Sequence, residues 1–464
     1  MWIMFVKPMK EKLYNYLVNE NQTVFQKYRD YCRENYGAPK IKRWVYLMKL
    51  FLQYSVFNKQ NQQKTTSYYG TYEEQRESEV AKRKSPEELV EILESYDIVS
   101  FDIFDTLLFR PLCQPSDLFF FVGEKLNYLN FIQIRIEMEQ RARAIKEQTL
   151  GTREVTLEEI WQQVEEETGI NKEIGIHTEL EVELAMCFVN PYMEKVLGEL
   201  QKRGKRIIGI SDMYLSQNQI KDLLSTAGMP NVLEKIFVSS EHGASKSNGG
   251  LYEIVKKQIG EEKTYIHLGD NEHSDVRQAR KQGFKTYYYP NVNDIGAKYR
   301  PKEMSSIIGS VYRGLVNTYI HSGIKIYSKP YELGFIYGGL FVLGYCKWIN
   351  GIVDKEKIDK ILFLSRDGDI IEKVYSRLFK GDKEYMQPNR LEFVYSNDGM
   401  IAKEVQQGIL DFVDYYIERI KDASEISGRD AYAPIWALGN HVDIVEKVVG
   451  RDFFKMNVGY ANKH

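Results

Sequence analysis

Five short apolar or β-prone runs, at residues 98–101, 206–210, 235–238, 264–268 and 285–289, are separated by segments of helical periodicity. No other feature of the 464-residue chain constrains its fold as strongly, because strands spaced by helices pair in parallel and bury both faces of one sheet. The expected class is α/β, with a doubly wound, Rossmann-like parallel sheet. Ligands in such sheets bind beyond the carboxyl ends of the strands, so the residues that follow each run are where chemistry is expected.

The first run leads into Asp102, Ile103, Phe104, Asp105 and Thr106, which puts Asp102 at a strand end. The second leads into Ser211 and Asp212, and the fourth into Gly269 and Asp270, with Asp275 about one helical turn on. Lys246 lies between these segments. A carboxylate at the end of a buried strand can attack phosphorus if a cation neutralises the approaching charges, and Asp102 is the candidate nucleophile. Asp102 and Asp270 are candidate ligands for magnesium, a hard cation that prefers oxygens and keeps several waters. Asp275 would order those waters or supply a second ligand. The Ser211 hydroxyl and nearby turn amides are candidates to hydrogen-bond a phosphoryl oxygen, with Thr106 and Asp212 as further candidate substrate-binding residues. Lys246 would supply positive charge to the transition state and to the crowded acids.

In that order the segments resemble motifs I to IV of the haloacid dehalogenase (HAD) superfamily, best known for phosphatases that pass phosphate through an aspartate. The resemblance covers about residues 85–300. The helical stretch at about 116–202, between the first two motifs, resembles the inserted cap of the C1 type. The resemblance implies that Asp102 is nucleophile and metal ligand, that Ser211 and Lys246 bind phosphate, and that Asp270 and Asp275 hold Mg2+. It also implies a metal contact through the backbone carbonyl of Phe104. Phosphatases of the superfamily carry a second Asp two residues after the nucleophile, which protonates the leaving oxygen and then activates water. Phe104 occupies that place here. Asp105, where the usual motif has Gly, is next to it, so either the catalytic acid has moved by one place or it is absent. Dehalogenases of the superfamily also lack this acid.

The wording of residues 101–110 and 210–216 is similar to a bacterial group of HAD-like proteins often associated with surface polysaccharide biosynthesis. Members often continue into a module with a Phe-Leu-Ser-Arg-Asp-Gly-like turn, as residues 363–368 do. The expected activity is a magnesium-dependent phosphoryl hydrolase or phosphotransferase with an aspartyl-phosphate intermediate, acting on a small phosphorylated metabolite such as a sugar phosphate. A HAD-like binding or assembly module without turnover is the alternative, and a dehalogenase a weaker one.

Flanking regions are less specific. Residues 1–84 read as a helical segment and a polar linker, residues 85–300 as the HAD-like domain and residues 301–464 as a C-terminal α/β module of unknown function. Lys40, Lys42, Arg43 and Lys49 mix with Trp44, Val45, Leu47, Leu50 and Phe51. That pattern fits either a helix packed on the protein or a contact with a membrane surface or partner protein. Arg135, Glu139, Arg141 and Arg143 read as a surface salt-bridge ladder, with an arginine able to bind a sugar substituent or second phosphate as the alternative. His242, His267 and His273 flank the motifs without the spacing of a zinc cluster.

Lysine plus arginine (63) nearly balance aspartate plus glutamate (65), which gives no reason to expect nucleic acid as a partner. The four cysteines are scattered without a CxxC pair. No run reaches the roughly 18 uninterrupted apolar residues of a membrane span. The start lacks the features of a signal peptide, so the expected compartment is the cytoplasm.

Overall fold

In a computed structural model, the described residues are 39–56, 83–297, 300, 306–358, 361–363, 368–379, 385–386 and 397–427, with single positions 17, 24, 27, 28 and 31. The chain divides into two compact units, Met1–Arg83 and Lys84–His464. Most of the proposed linker, and the turn at residues 364–367, lie outside the described residues.

In the first unit, helix α1 (Lys40–Phe51) runs into a short π-helical turn, Leu52–Val56. Leu47 and Leu50 are buried in a small cluster with Leu17 and Val24. Ile41, Trp44, Val45, Met48 and Leu52 are exposed, so the helix carries apolar residues on both a packed and an open face.

The second unit opens with α2 (Pro86–Leu93), started by a reciprocal capping box between Ser85 and Glu88 with Pro86 in the first turn. Strand β1 (Ile98–Phe101) follows and is buried throughout. Burying side chains such as Ile98, Val99 and Phe101 stabilises the fold by about 1.5–3 kcal/mol each. Strands β2 (Leu108–Phe109) and β3 (Phe188–Val189) pair antiparallel and bracket a helical insert. The insert comprises α3 (Leu118–Leu126), α4 (Phe131–Leu150), α5 (Leu157–Thr168) and α6 (Lys172–Met186). Helix α7 (Pro191–Lys202), which ends the expected cap stretch, instead packs on α2.

Strands β4 (Arg206–Ser211), β5 (Lys235–Val238), β6 (Tyr265–Gly269) and β7 (Lys285–Tyr288) complete one five-stranded sheet of order β5-β4-β1-β6-β7. Every neighbouring pair in it is parallel. The chain starts at the central strand, builds outward on one side and then on the other, so the order reverses at β1. That topological switch point is where the crevice of an open α/β sheet forms.

The sequence also led us to expect a separate module from residue 301. In the described residues, helix α8 (Ser306–Ile320) instead shares the main apolar core: Val311, Leu315 and Val316 cluster with Leu107 and Leu112. A Cβ at Gly314 would lie 2.3 Å from the Leu112 backbone nitrogen, so this close approach requires glycine. One continuous helical run, Lys329–Glu356, is long and apolar enough by length and composition to cross a membrane. It packs on the long helix Asn397–Ser427, with the Phe335 and Phe412 rings 5.4 Å apart. A short parallel pair, Ile361–Leu362 with Tyr385–Met386, is the remaining strand structure described.

Candidate active site

The ends of β1, β4 and β6 bring the sequence-predicted acids and lysine to one crevice. Asp102 directly follows β1, and its backbone N–H donates to Leu268 O of β6 at 2.8 Å. Ser211 is the last residue of β4 and Asp270 directly follows β6. Side-chain oxygens of Asp102, Asp270 and Asp275 lie within 4.8 Å of one another. Lys246 Nζ donates to Asp102 Oδ1 and, at 2.7 Å, pairs with Asp275 Oδ1. The cavity in front of them has a volume of about 660 Å³ and is walled on its far side by the helical insert through Ile136, Glu139, Gln140 and Glu183.

Local geometry fixes each group. A Cβ at Gly269 would meet Asp275 Oδ2 at 2.3 Å, so only glycine lets the acid pack against the strand end. Asn271 caps the turn beyond β6 by accepting from the N–H groups of His273 and Ser274, and its own N–H donates to Asp275 Oδ2 at 2.9 Å. Lys246 is held by Asp212, whose carboxylate accepts from the N–H of Lys246 at 2.6 Å and of Ser247 at 3.2 Å. Asp212 was expected to bind substrate. Its carboxylate is committed to the lysine loop, and the residue lines the cavity. Thr106, also expected at the substrate, is fully buried and does not line the cavity. Among the described residues, its hydroxyl has no hydrogen-bond partner.

The loop after β1 is tightly wound. Asp105 adopts a left-handed conformation, φ 57°, at the place where a glycine was noted as usual. Such a backbone is uncommon outside glycine but is tolerated by Asp. Behind the loop, Asn190 donates to Thr106 O at 2.7 Å and to the Tyr289 hydroxyl at 3.0 Å. The Phe104 ring stands beside Arg110, whose guanidinium carbon is 4.4 Å from the ring centroid. No carboxyl therefore occupies the position two residues after Asp102.

The electrostatics of the crevice are unbalanced. Burial works against charge on Lys246, but Asp102 and Asp275 outweigh it and raise the ammonium well above its ordinary value. Burial likewise disfavours ionised Asp275, yet Lys246 and His267 hold its carboxyl below the usual carboxylate range. Lys246 and Asp275 thus form the charged pair. For Asp102, burial dominates: with Asp275 and Asp270 adding repulsion, its carboxyl is pushed well up despite Lys246. Asp270 is pushed up to about 7 by burial and by Asp105, against the Asn291 amide that donates to it at 2.6 Å. Burial raises Asp105 too, with Arg110 drawing it back. Three convergent carboxyls share one lysine, and two of them resist ionisation for want of positive charge.

A hard dication fits this donor set. Three convergent oxygen ligands are present, and an added double charge would favour the ionised forms of Asp102 and Asp270 that burial now disfavours.

Several residues take places around the site that the sequence did not assign to them. His267, fully buried in β6, lies 3.3 Å from Asp275 Oδ1 through Nε2 and 2.9 Å from Ser100 Oγ through Nδ1. With Asp275 ionised, Nε2 would carry the proton and Nδ1 would accept, so that the ring braces the acid; burial lowers the pKa of His267. Arg110 makes two 2.9 Å bonds to Glu183 of α6. Arg135 is not part of a surface ladder: it is wholly buried and bidentate to Glu179 at 2.8 Å, which also accepts from Trp161 Nε1. Arg141 does face solvent, near Glu166 and Glu167. His273 lines the cavity, whereas His242 lies outside it beside Phe237.

No family model matches the chain, and no curated protein matches it in sequence. Among solved structures, it is similar to the HAD-hydrolase YfnB from Bacillus subtilis bound to magnesium, at 17% identity over 42% of this chain and 88% of that chain, TM-score 0.32. It is also similar to a 2-haloacid dehalogenase from Pseudomonas syringae, at 14% identity over 42% and 86%, TM-score 0.32. A HAD family enzyme from Bacteroides thetaiotaomicron, in complex with magnesium and inorganic phosphate, is similar at 14% identity over 42% and 95%, TM-score 0.32.

Proposed function

We propose that the protein is a HAD-type hydrolase or phosphotransferase that moves a phosphoryl group from a small phosphate ester through Asp102. The observation that carries this reading is the convergence of Asp102, Asp270 and Asp275 beside Lys246 at the switch point of the sheet. Asp102, Asp270 and Asp275 would hold Mg2+, which would supply Lewis-acid charge to the phosphoryl oxygens.

The remaining chemistry falls to the chain's own groups. Asp102, fixed by its backbone bond to β6, attacks phosphorus and becomes the acyl phosphate. Lys246, kept charged by its acid neighbours, stabilises the negative charge that develops on the phosphoryl group. Ser211, at the end of β4 and lining the cavity, donates its hydroxyl to a phosphoryl oxygen. Asp105 is the candidate proton donor to the leaving oxygen, since burial raises its pKa and it lines the same cavity. A sugar phosphate of surface polysaccharide biosynthesis is the substrate class suggested by the wording of the first two motifs.

The Phe104 ring favours a second reading, in which the domain binds a phosphorylated ligand without turning it over. Phosphate release from p-nitrophenyl phosphate separates the two. The enzyme reading expects release with Mg2+, its loss with EDTA and its return when Mg2+ is restored. If neither this ester nor acetyl phosphate is cleaved under any metal condition, the enzyme reading fails.

A further inference from the structure

The charge on the insert side of the cavity limits what can accompany the phosphoryl group. Among the described residues, the lysines and arginines lining the cavity are Lys246 and Arg110, and both are paired. Lys246 lies between Asp102 and Asp275. Arg110 is clamped in two-point fashion on Glu183, with both side chains almost fully buried, so recruiting it to a ligand would strand a buried carboxylate.

Among the described residues, the rest of that wall offers hydrogen bonding, and the guanidinium that reaches Gln140, that of Arg153 at 3.4 Å, is itself paired with Glu147. Glu139 accepts from Arg135 through Oε2 and from Arg143 through Oε1. A carboxylate has more acceptor sites than these bonds use, so Glu139 can still receive a hydroxyl or ammonium hydrogen. Gln140 is exposed on the same helix, and Phe119 and Ile136 add apolar surface. A second phosphate or a carboxylate placed here would face Glu139 and Glu183 with no free counter-charge.

We infer that the site, taken as the phosphoryl-transfer site proposed above, selects monophosphate esters whose alcohol is an uncharged or amino-bearing polyol, and rejects bisphosphates and carboxylated phosphates. Glu139 and Gln140 set this choice. The same logic disfavours small haloacids, whose carboxylate would also need a free cation.

Calorimetry on Asp102→Asn protein in Mg2+ tests this without turnover. Glucose 6-phosphate and glucosamine 6-phosphate are compared with fructose 1,6-bisphosphate and 3-phosphoglycerate. The first two are expected to bind at least about tenfold more tightly, and Gln140→Lys is expected to narrow the gap by strengthening the bisphosphate. Equal or reversed affinities, no binding of any of the four, or a gap untouched by Gln140→Lys would overturn the inference. Wild-type turnover of the same compounds is measured in parallel. Selective binding without phosphate release would sink the phosphoryl-transfer reading while upholding the selectivity.

Discussion

The floor of the cavity and its insert-side wall are both built from acids and bases at hydrogen-bond distance, but only the wall is balanced. On the wall Arg110 matches Glu183, and behind it Arg135 and Arg143 match Glu179 and Glu139. On the floor, Asp102, Asp270 and Asp275 converge beside a single lysine with Asp105 lining the same cavity, and the pKa of every one of these acids but Asp275 is raised. Paired ions of the first kind hold a shape. Unmatched buried carboxyls of the second kind cost stability, and a chain keeps them where a cation and an anionic substrate would complete the charge. On the proposed function, the difference leaves the wall to hold shape and select the substrate and the floor to do the chemistry.

Substitutions can break that comparison from either side. Asp102→Asn should lower phosphate release by at least about 10³-fold, or some 4 kcal/mol in the barrier, while the thermal midpoint stays close to wild type. A matched loss of folding and activity would return Asp102 to a structural role. On the wall the expectation reverses. Arg135→Met should cost about 3–5 kcal/mol of stability by leaving Glu179 buried and uncompensated, as read from denaturant midpoints. Pairing it with Glu179→Leu should recover much of the loss, and failure to recover would mean the arginine does more than balance charge.

Smaller effects sharpen the picture. Phe104→Asp restores a carboxyl two residues after the nucleophile and should raise phosphate release at least about tenfold. An unchanged or lower rate would leave Asp105 as the sufficient acid. Thr106→Val removes a buried hydroxyl that has no partner among the described residues. It should be neutral or stabilising by up to about 1 kcal/mol, with the KM for p-nitrophenyl phosphate unchanged; a raised KM would restore Thr106 to the substrate.

The sheet was legible because each strand is an apolar run cut off by a polar turn, and the five expected runs match the observed strands to within a residue at each end. The floor was legible for the same reason, since a carboxylate after a buried strand has few places to go. The wall was not. Arg135 and Glu139 are four apart on a helix, the spacing of an exposed pair, while the Glu179 partner that shows burial lies 44 residues further on. The hold of Asp212 on the lysine loop was not legible either, because it depends on two backbone N–H groups, which side-chain patterns do not record. The shared core of α8 depends on Gly314 meeting the backbone at Leu112, a contact between residues about two hundred apart.

The most direct measurement asks where the phosphoryl group goes. The protein is incubated with acetyl phosphate and Mg2+, the acyl phosphate is reduced with borohydride, and the reduced residue is located by mass spectrometry. Reduction is expected at Asp102, absent with EDTA and in Asp102→Asn. Phosphate release with no reduction at Asp102, or reduction at Asp105, Asp270 or Asp275 instead, would contradict it.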